Sequence, residues 1–159
     1  RKPEMKHRDI TLSNSALADA AISLTELTAI AQGDGVADRE GASIRVHRIE
    51  VCGSTNRDAT DLYFVSPKMN NAPTYGDFLS VTGGFVNRDA FILWWKQITS
   101  TTGGNSTDAA YSFRFPMKIH YSGSSSTSGQ RNRIWFVVKN DTGGAISFEY
   151  ALRIWYTDT

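Results

Sequence analysis

The chain has 159 residues, of which 40% are hydrophobic and 11% aromatic, and its formal net charge is +1. A chain of this length fits one domain and can bury a core without disulfides or a structural metal. Its single cysteine, Cys52, excludes an intramolecular disulfide, and no apolar run reaches the length of a membrane span. Because Cys52 sits in a strand-like segment, we expect it to be a small buried hydrophobic residue.

The first nine residues are basic, although the chain as a whole is nearly neutral. Their cations face only the carboxylates of Glu4 and Asp9; the cations are Arg1, Lys2, Lys6 and Arg8. Such a cluster can bind phosphates through charge, without a fixed geometry, and it is equally compatible with a solvated tail. We predict a basic N-terminal arm over residues 1–9, the remnant of a longer arm upstream, and a single domain over residues 10–159.

The window Asn14–Ala31 is the only segment with helical character. Ser13 or Ser15 could cap a helix there, but the apolar residues form no continuous stripe along one helical face. The pattern therefore predicts at most a short helix of one or two turns within this window.

The run Ser43–Cys52 alternates like a strand but changes phase midway. Its apolar residues move from even to odd positions: Ile44 and Val46, then Ile49 and Val51. A regular strand cannot bury both pairs against one core. We predict a bulge or strong twist near His47–Arg48, or burial on both faces.

Four later runs also have strand patterns. Phe91–Trp95 and Ile134–Val138 are continuously apolar, as a strand buried on both faces would be. Ser112–Tyr121 and Phe148–Tyr156 alternate apolar and polar residues, as half-buried strands do. Pro116 lacks an N–H, which indicates an edge position or a bulge. Loops rich in Gly, Ser, Thr and Asn separate the runs, and the pattern predicts an all-β antiparallel sandwich or barrel.

Several cations share these strand-like runs. Arg45, His47 and Arg48 could form a basic surface for nucleic acid, or they could make ion pairs with carboxylates such as Glu50. The same two interpretations apply to two basic residues on the polar face of a later run, Lys118 and His120. The candidate nucleic-acid-binding residues are Arg1, Lys2, Lys6, Arg8, Arg45 and Arg48.

Three tryptophans are candidates for contacts between subunits. Trp94 and Trp95 are adjacent, so they point to opposite faces of a strand. We expect one of them in the core and the other at a subunit contact or stacked on a nucleobase, since Trp is enriched at interfaces. Trp155 falls on the less apolar face of its strand and is given the same interpretation.

The sequence carries no catalytic signature. Its three histidines are scattered, and it contains no H-x-x-x-H, C-x-x-C or G-x-S-x-G motif. Asp34, Asp38 and Glu40 are spaced somewhat like calcium ligands, without the sixth-position Gly and twelfth-position Glu of an EF-hand. We predict a protein that is not an enzyme and has no cofactor and no metal, with a calcium site in this loop as the alternative left open.

Two short motifs and the C-terminal strand carry a resemblance to a known family. Residues 30–33 read I-x-Q-G, residues 39–41 read R-x-G, and an alternating basic strand follows. The chain closes with R-hydrophobic-x-Y-x-D over Arg153–Asp158. This order resembles the capsid proteins of circular Rep-encoding single-stranded DNA viruses, which are circovirus-like and satellite-virus-like single jelly rolls. Where many members of that family carry an acidic residue after an F-x-I-L strand, this chain has Lys96.

The resemblance implies a single eight-stranded antiparallel jelly roll made of two packed four-stranded sheets. It also implies self-assembly into a small icosahedral shell around a single-stranded DNA genome, in a virion assembled inside a host cell, in the nucleus for a DNA virus. The implied partners are further copies of the chain, single-stranded nucleic acid and a host-cell receptor, for which the loops carry no specific signal. Two alternatives stay open: the coat protein of a satellite-type plant RNA virus, and a carbohydrate-binding jelly-roll lectin.

Overall fold

The computed structural model describes residues 4–33, 35, 38–56, 60–67, 72–78, 92–98, 107–126 and 129–159. Within these residues the chain forms nine β-strands and one 3₁₀ turn, Tyr75–Phe78. The strands are β1 Lys6–Leu17, β2 Ala21–Glu26, β3 Ser43–Thr55, β4 Thr60–Val65, β5 Ile92–Ile98, β6 Thr107–Tyr121, β7 Gly129–Arg131, β8 Trp135–Asn140 and β9 Ile146–Asp158.

The strands form two antiparallel sheets. One has the order β1-β9-β3-β6-β7 and the other the order β2-β8-β4-β5. The first four strands of the chain alternate between the two sheets, and β8 and β9 are again divided between them. Apart from β7, which is only three residues long, this is the predicted eight-stranded jelly roll of two four-stranded sheets.

The short helix predicted within Asn14–Ala31 is not formed. β1 continues to Leu17, and β2 follows after a turn with a positive φ at Ala20. β2 pairs with β8 and places Leu24 opposite Val137. Pairing and burial between distant segments therefore outweigh the weak local preference for a helix.

β3 contains the bulge that its sequence predicts. Its register with both neighbouring strands shifts between Val46 and Arg48, so the apolar residues on either side reach the same core. These residues are almost fully buried: Ile44, Val46, Ile49 and Val51. Each such side chain contributes about 1.5–3 kcal/mol by leaving water. Pro116 lies within the same shift on β6, which confirms its predicted place at a bulge.

The two continuously apolar runs have different positions. β8 is buried on both faces, as predicted, because Phe136 and Val138 face the core between the sheets while Val137 packs in a smaller outer cluster with Tyr63. β5 is instead an edge strand, and Trp95 is 54% exposed. The prediction of burial on both faces was wrong for β5, because a continuous apolar run does not distinguish a central strand from an edge strand.

The 3₁₀ turn packs against the outer face of the four-stranded sheet. Phe78 is buried beside Tyr63, with ring centroids 4.8 Å apart. Lys139 of β8 donates to the carbonyl oxygen of Phe78 (3.3 Å) and pairs with Asp141 (2.6 Å). The Tyr75 hydroxyl donates to the same carboxylate. Burial raises the pKa of Asp141, but the hydrogen bonds from Lys139 and Tyr75 outweigh it and lower the pKa below its ordinary value.

The loop between β2 and β3 is fastened by Arg39, the arginine of the R-x-G motif. Its fully buried side chain donates to the carbonyl oxygens of Ile30 (3.0 Å) and Gly41 (2.5 Å). It also donates to the carbonyl of Gly123, and its guanidinium carbon lies 4.0 Å from the centroid of the Tyr121 ring. The I-x-Q-G and R-x-G motifs therefore take part in one set of hydrogen bonds, from Arg39 to Ile30, Gly41 and Gly123. We call this set the clasp, because it joins the loop to the segment after β6.

Cys52 is exposed, so the prediction that it is buried was wrong. After the bulge, the odd-numbered Val51 faces the core and the even-numbered Cys52 faces solvent. The side chain of Cys52 therefore belongs to the outer face of the five-stranded sheet.

Candidate nucleic-acid interface

The outer face of the five-stranded sheet carries a group of cations on β3, β6 and β7. Residues directly opposite each other in an antiparallel sheet project to the same side. Three such pairs consist of basic residues, and we call these six residues the cationic rows: Arg45 with Lys118, Arg48 with Arg114, and His120 with Arg131.

The bulge in β3 is what brings Arg45 and Arg48 to the same face. They are three residues apart, so in a regular strand they would point to opposite faces. The register shift after Val46 restores their alignment and sets Arg48 opposite Trp155 of β9. Both neighbours of Trp155 in the chain are buried in the core, which places the indole on the outer face.

Little negative charge balances the cationic rows. Glu50 lies 3.6 Å from Arg48. In the part of the chain that the structure describes, no other carboxylate lies within ion-pairing distance of a row residue. Like charges directly opposite each other destabilise a sheet. The rows therefore do not stabilise the fold, and their presence needs another explanation. A polyanion lying across them would remove this repulsion.

Trp155 borders the cationic rows and is held by residues of its own chain. Its Nε1 donates to a carboxylate oxygen of Glu50 at 2.8 Å. Its ring lies 5.0 Å from the His7 ring, centroid to centroid, and 5.0 Å from the guanidinium carbon of Arg48. The side chain is only half-buried, so its role in a subunit contact stays a prediction.

An ion pair with no net charge, Arg153 with Asp9, lies beside Trp155. Arg153 donates two hydrogen bonds to Asp9, of 2.6 and 2.7 Å. The hydrogen bond from Arg153 lowers the pKa of Asp9 below its ordinary value. Arg153 therefore differs from Arg45, Arg114 and Lys118, because its charge is compensated across β1 and β9; among the row residues, only Arg48 has a carboxylate partner, Glu50, in the described part of the chain.

The N-terminal segment is part of the sheet from Lys6 onwards. β1 begins at this residue, so the arm boundary predicted at residue 9 lies inside a strand. The other two predicted cations of this segment, Arg1 and Lys2, lie outside the described residues.

Lys6 and Arg8 both have partners within the chain. Lys6 is almost fully buried and pairs with Glu40 (2.8 Å) and Asp158 (3.0 Å). Burial lowers the pKa of Lys6, but the hydrogen bonds to the two carboxylates outweigh it and raise the pKa. Arg8 donates to the carbonyl oxygen of Ala29. Phosphate binding by Lys6 and Arg8 stays a prediction, and these contacts give both residues a structural role.

The adjacent tryptophans of β5 point to opposite faces, as predicted. The Trp94 ring packs against the core, 4.6 Å from Phe113 and 5.5 Å from Phe64 between centroids. Trp95 lies on the outer face, where its Nε1 donates to Asp61 at 3.3 Å. Trp94 is therefore a core residue, and only Trp95 of this pair remains a candidate for a subunit contact.

Four row residues are outside the list of six sequence candidates. Lys118 and His120 were given the same two interpretations without entering that list, whereas Arg114 and Arg131 were not singled out. Arg114 occupies a polar position of the alternating run on β6, so its place on the outer face was available from that pattern. Arg131 follows a loop, and only its pairing with His120 brings it to the same face.

The described residues contain no group of three or more His, Cys, Asp or Glu side chains that could hold a metal ion. Asp34, a member of the calcium-like spacing, lies outside them, while Asp38 accepts a hydrogen bond from the backbone N–H of Gly35 (3.1 Å). Over the same parts of the chain, no helix combines the length and the hydropathy needed to cross a bilayer.

Comparisons with known proteins give no family for this chain. No protein-family model matches it, and no curated protein matches it. One similar solved structure comes from work titled "Bacillus endospore appendages form a novel family of disulfide-linked pili"; it is 9% identical, with a TM-score of 0.40, over 100% of this chain and 93% of that one. A likeness at that level carries no argument about function.

Proposed function

We propose that this chain is a structural capsid protein that assembles into a small icosahedral shell around a single-stranded nucleic acid, with DNA as the expected genome. The observation that carries the proposal is the cationic rows, in which Arg45 with Lys118 and Arg48 with Arg114 place like charges opposite one another on the outer face of the sheet. The sequence resemblance and the jelly-roll topology support it. The fold alone does not, because jelly rolls also occur in lectins and cupins.

The arrangement of charge suits a protein that packages nucleic acid. Binding to a phosphate backbone needs accessible positive charge more than fixed geometry. The rows supply such charge across three neighbouring strands, while cations elsewhere, such as Lys6 and Lys139, are paired with carboxylates. One face would therefore hold the genome, and the remaining surfaces would be free for contacts between copies. Many weak contacts repeated over a shell add up to stable assembly.

The mechanism requires no catalytic step. The chain would act as a non-enzymatic subunit of a virion, assembled inside a host cell, and without a cofactor. Its partners would be its own copies, the genome and a host-cell receptor. Trp95, which is exposed on the outer face of the four-stranded sheet, is the tryptophan that we expect at contacts between copies. Trp155 lies on the face proposed to hold the genome, so its other predicted role, stacking on a nucleobase, is the one that fits this proposal.

Co-purification with nuclease-protected nucleic acid tests this function. The chain would be expressed, separated on a density gradient and treated with nuclease, and the protected nucleic acid would be sequenced. We expect fast-sedimenting particles that protect single-stranded DNA; protected RNA would instead favour the satellite-type coat protein. Particles from the double variant Arg45→Gln/Lys118→Gln should protect less. A slowly sedimenting monomer that protects nothing would contradict the proposal.

The lectin is the second candidate, and the exposure of Trp95 favours it. An exposed indole on a sheet face is a side chain that can stack on a sugar ring. Binding of the monomer to a glycan array, lost in Trp95→Ala and retained in Arg45→Gln, would support the lectin and contradict the capsid protein.

A further inference from the structure

A shallow groove crosses the outer face of the five-stranded sheet next to the cationic rows. Its volume is about 660 Å³. Its floor is formed by small side chains, one from each of four neighbouring strands in matching register: Thr11, Ala151, Cys52 and Ala110. Because these side chains are short, a flat molecule can approach the sheet closely here.

The wall of the groove separates its floor from the cationic rows. Glu50 forms part of this wall and lies between Arg48 and Cys52 along β3. Successive residues on one face of a strand are about 6.7 Å apart, so groove and rows are contiguous. The ion pair of Asp9 with Arg153 continues the wall across β1 and β9.

The wall and the rows select different parts of a nucleotide. The groove carries no excess positive charge, because Asp9 compensates the charge of Arg153 and Glu50 adds a carboxylate, whereas Arg48 and Arg114 attract a phosphate beside it. Carboxylates accept hydrogen bonds from the exocyclic amino groups of bases. A base in a duplex is stacked and paired, and extruding it costs a few kcal/mol, so the groove suits the unpaired bases of a single strand.

We propose that this groove is a subsite for an unpaired nucleobase of a single-stranded nucleic acid whose backbone crosses the cationic rows. The inference rests on the proposed function, since it requires the rows to bind phosphate. It adds that the protein distinguishes single strands from duplexes, and bases from bare phosphodiester. The volume of the groove falls within the range of small-molecule sites, about 300–1,000 Å³.

Filling the groove tests the inference. The variant Ala151→Leu places a larger side chain on the groove floor, and Ala145→Leu makes the same change at an exposed position that does not line it. Two oligonucleotides with equal numbers of phosphates would be titrated, one bearing cytosine and one abasic. We expect the wild-type chain and Ala145→Leu to bind the cytosine strand about fivefold more tightly than the abasic strand, the effect of one hydrogen bond from the base to a carboxylate of the wall. Ala151→Leu should bind both strands equally, with an unchanged salt dependence.

Cys52 provides an independent readout in the unmodified chain, because its thiol lies on the groove floor and is exposed. The cytosine strand should slow its reaction with a maleimide, and the abasic strand should not. Equal, salt-dependent binding of both strands with no protection of Cys52 would overturn the groove while leaving the phosphate-binding rows intact. If neither strand binds, both proposals are overturned together.

Discussion

Removing cations from the rows should weaken the salt dependence of nucleic-acid binding by a calculable amount. Each phosphate contact with a single strand contributes about −0.7 to the slope of log K against log salt concentration. If the four Arg and Lys residues of the rows on β3 and β6 each bind one phosphate, the slope is about −2.8. A fourfold rise in salt then weakens binding about 50-fold. In Arg45→Gln/Lys118→Gln the slope should fall to about −1.4, and the same rise should weaken binding about sevenfold.

Fluorescence anisotropy of a labelled single strand, titrated with unassembled protein over a salt series, measures these slopes. The single variant Arg45→Gln should lower the slope to about −2.1. Its matched control is Lys96→Gln, which removes an exposed cation from β5 of the other sheet. The control should keep the slope of about −2.8. The reasoning would be refuted if the double variant kept the full slope, or if Lys96→Gln lowered it as much as Arg45→Gln.

Three further predictions concern stability. Arg39→Met should lower the free energy of unfolding by about 3 kcal/mol, because three carbonyl groups lose a donor worth about 1 kcal/mol each; denaturant unfolding showing a loss below about 1 kcal/mol would contradict the clasp. Tyr150→Phe should be neutral or stabilising by up to about 1 kcal/mol, because the Tyr150 hydroxyl is buried without a partner among the described residues; a loss of stability in thermal unfolding would show that the hydroxyl is bonded. The lowered pKa of Asp141 gives stability that is present above its ordinary pKa of 3.8 and is lost as the pH falls below it. Asp141→Asn should therefore show a smaller drop in melting temperature on acidification, and an unchanged drop would contradict the pairing with Lys139 and Tyr75.

Features with a strict local pattern were predictable from the sequence. The alternating runs gave β6 and β9, and the phase change between Val46 and Ile49 gave the bulge in β3. Both follow from the period of two along a strand, which a single run of residues displays. The same bulge decides that Arg45 and Arg48 share a face, so two members of the cationic rows could be named in advance.

Features that depend on partners distant in the chain were not predictable. The helical window contains β2, because pairing with β8 decides its structure. Trp95 is exposed on β5, which lies at the edge of its sheet. The order of strands in a sheet cannot be predicted from the residues of one strand alone. Lys6 is part of a basic cluster in sequence, yet it contacts Glu40 and Asp158, which the fold brings to it.

Electron cryomicroscopy of particles formed by the expressed chain tests the central proposal most directly. We predict closed icosahedral shells in which the outer face of the five-stranded sheet faces the lumen, with nucleic-acid density over Arg45, Arg48, Arg114 and Lys118. A monodisperse monomer at every salt concentration and pH would contradict the proposal, as would shells in which this face is turned outwards.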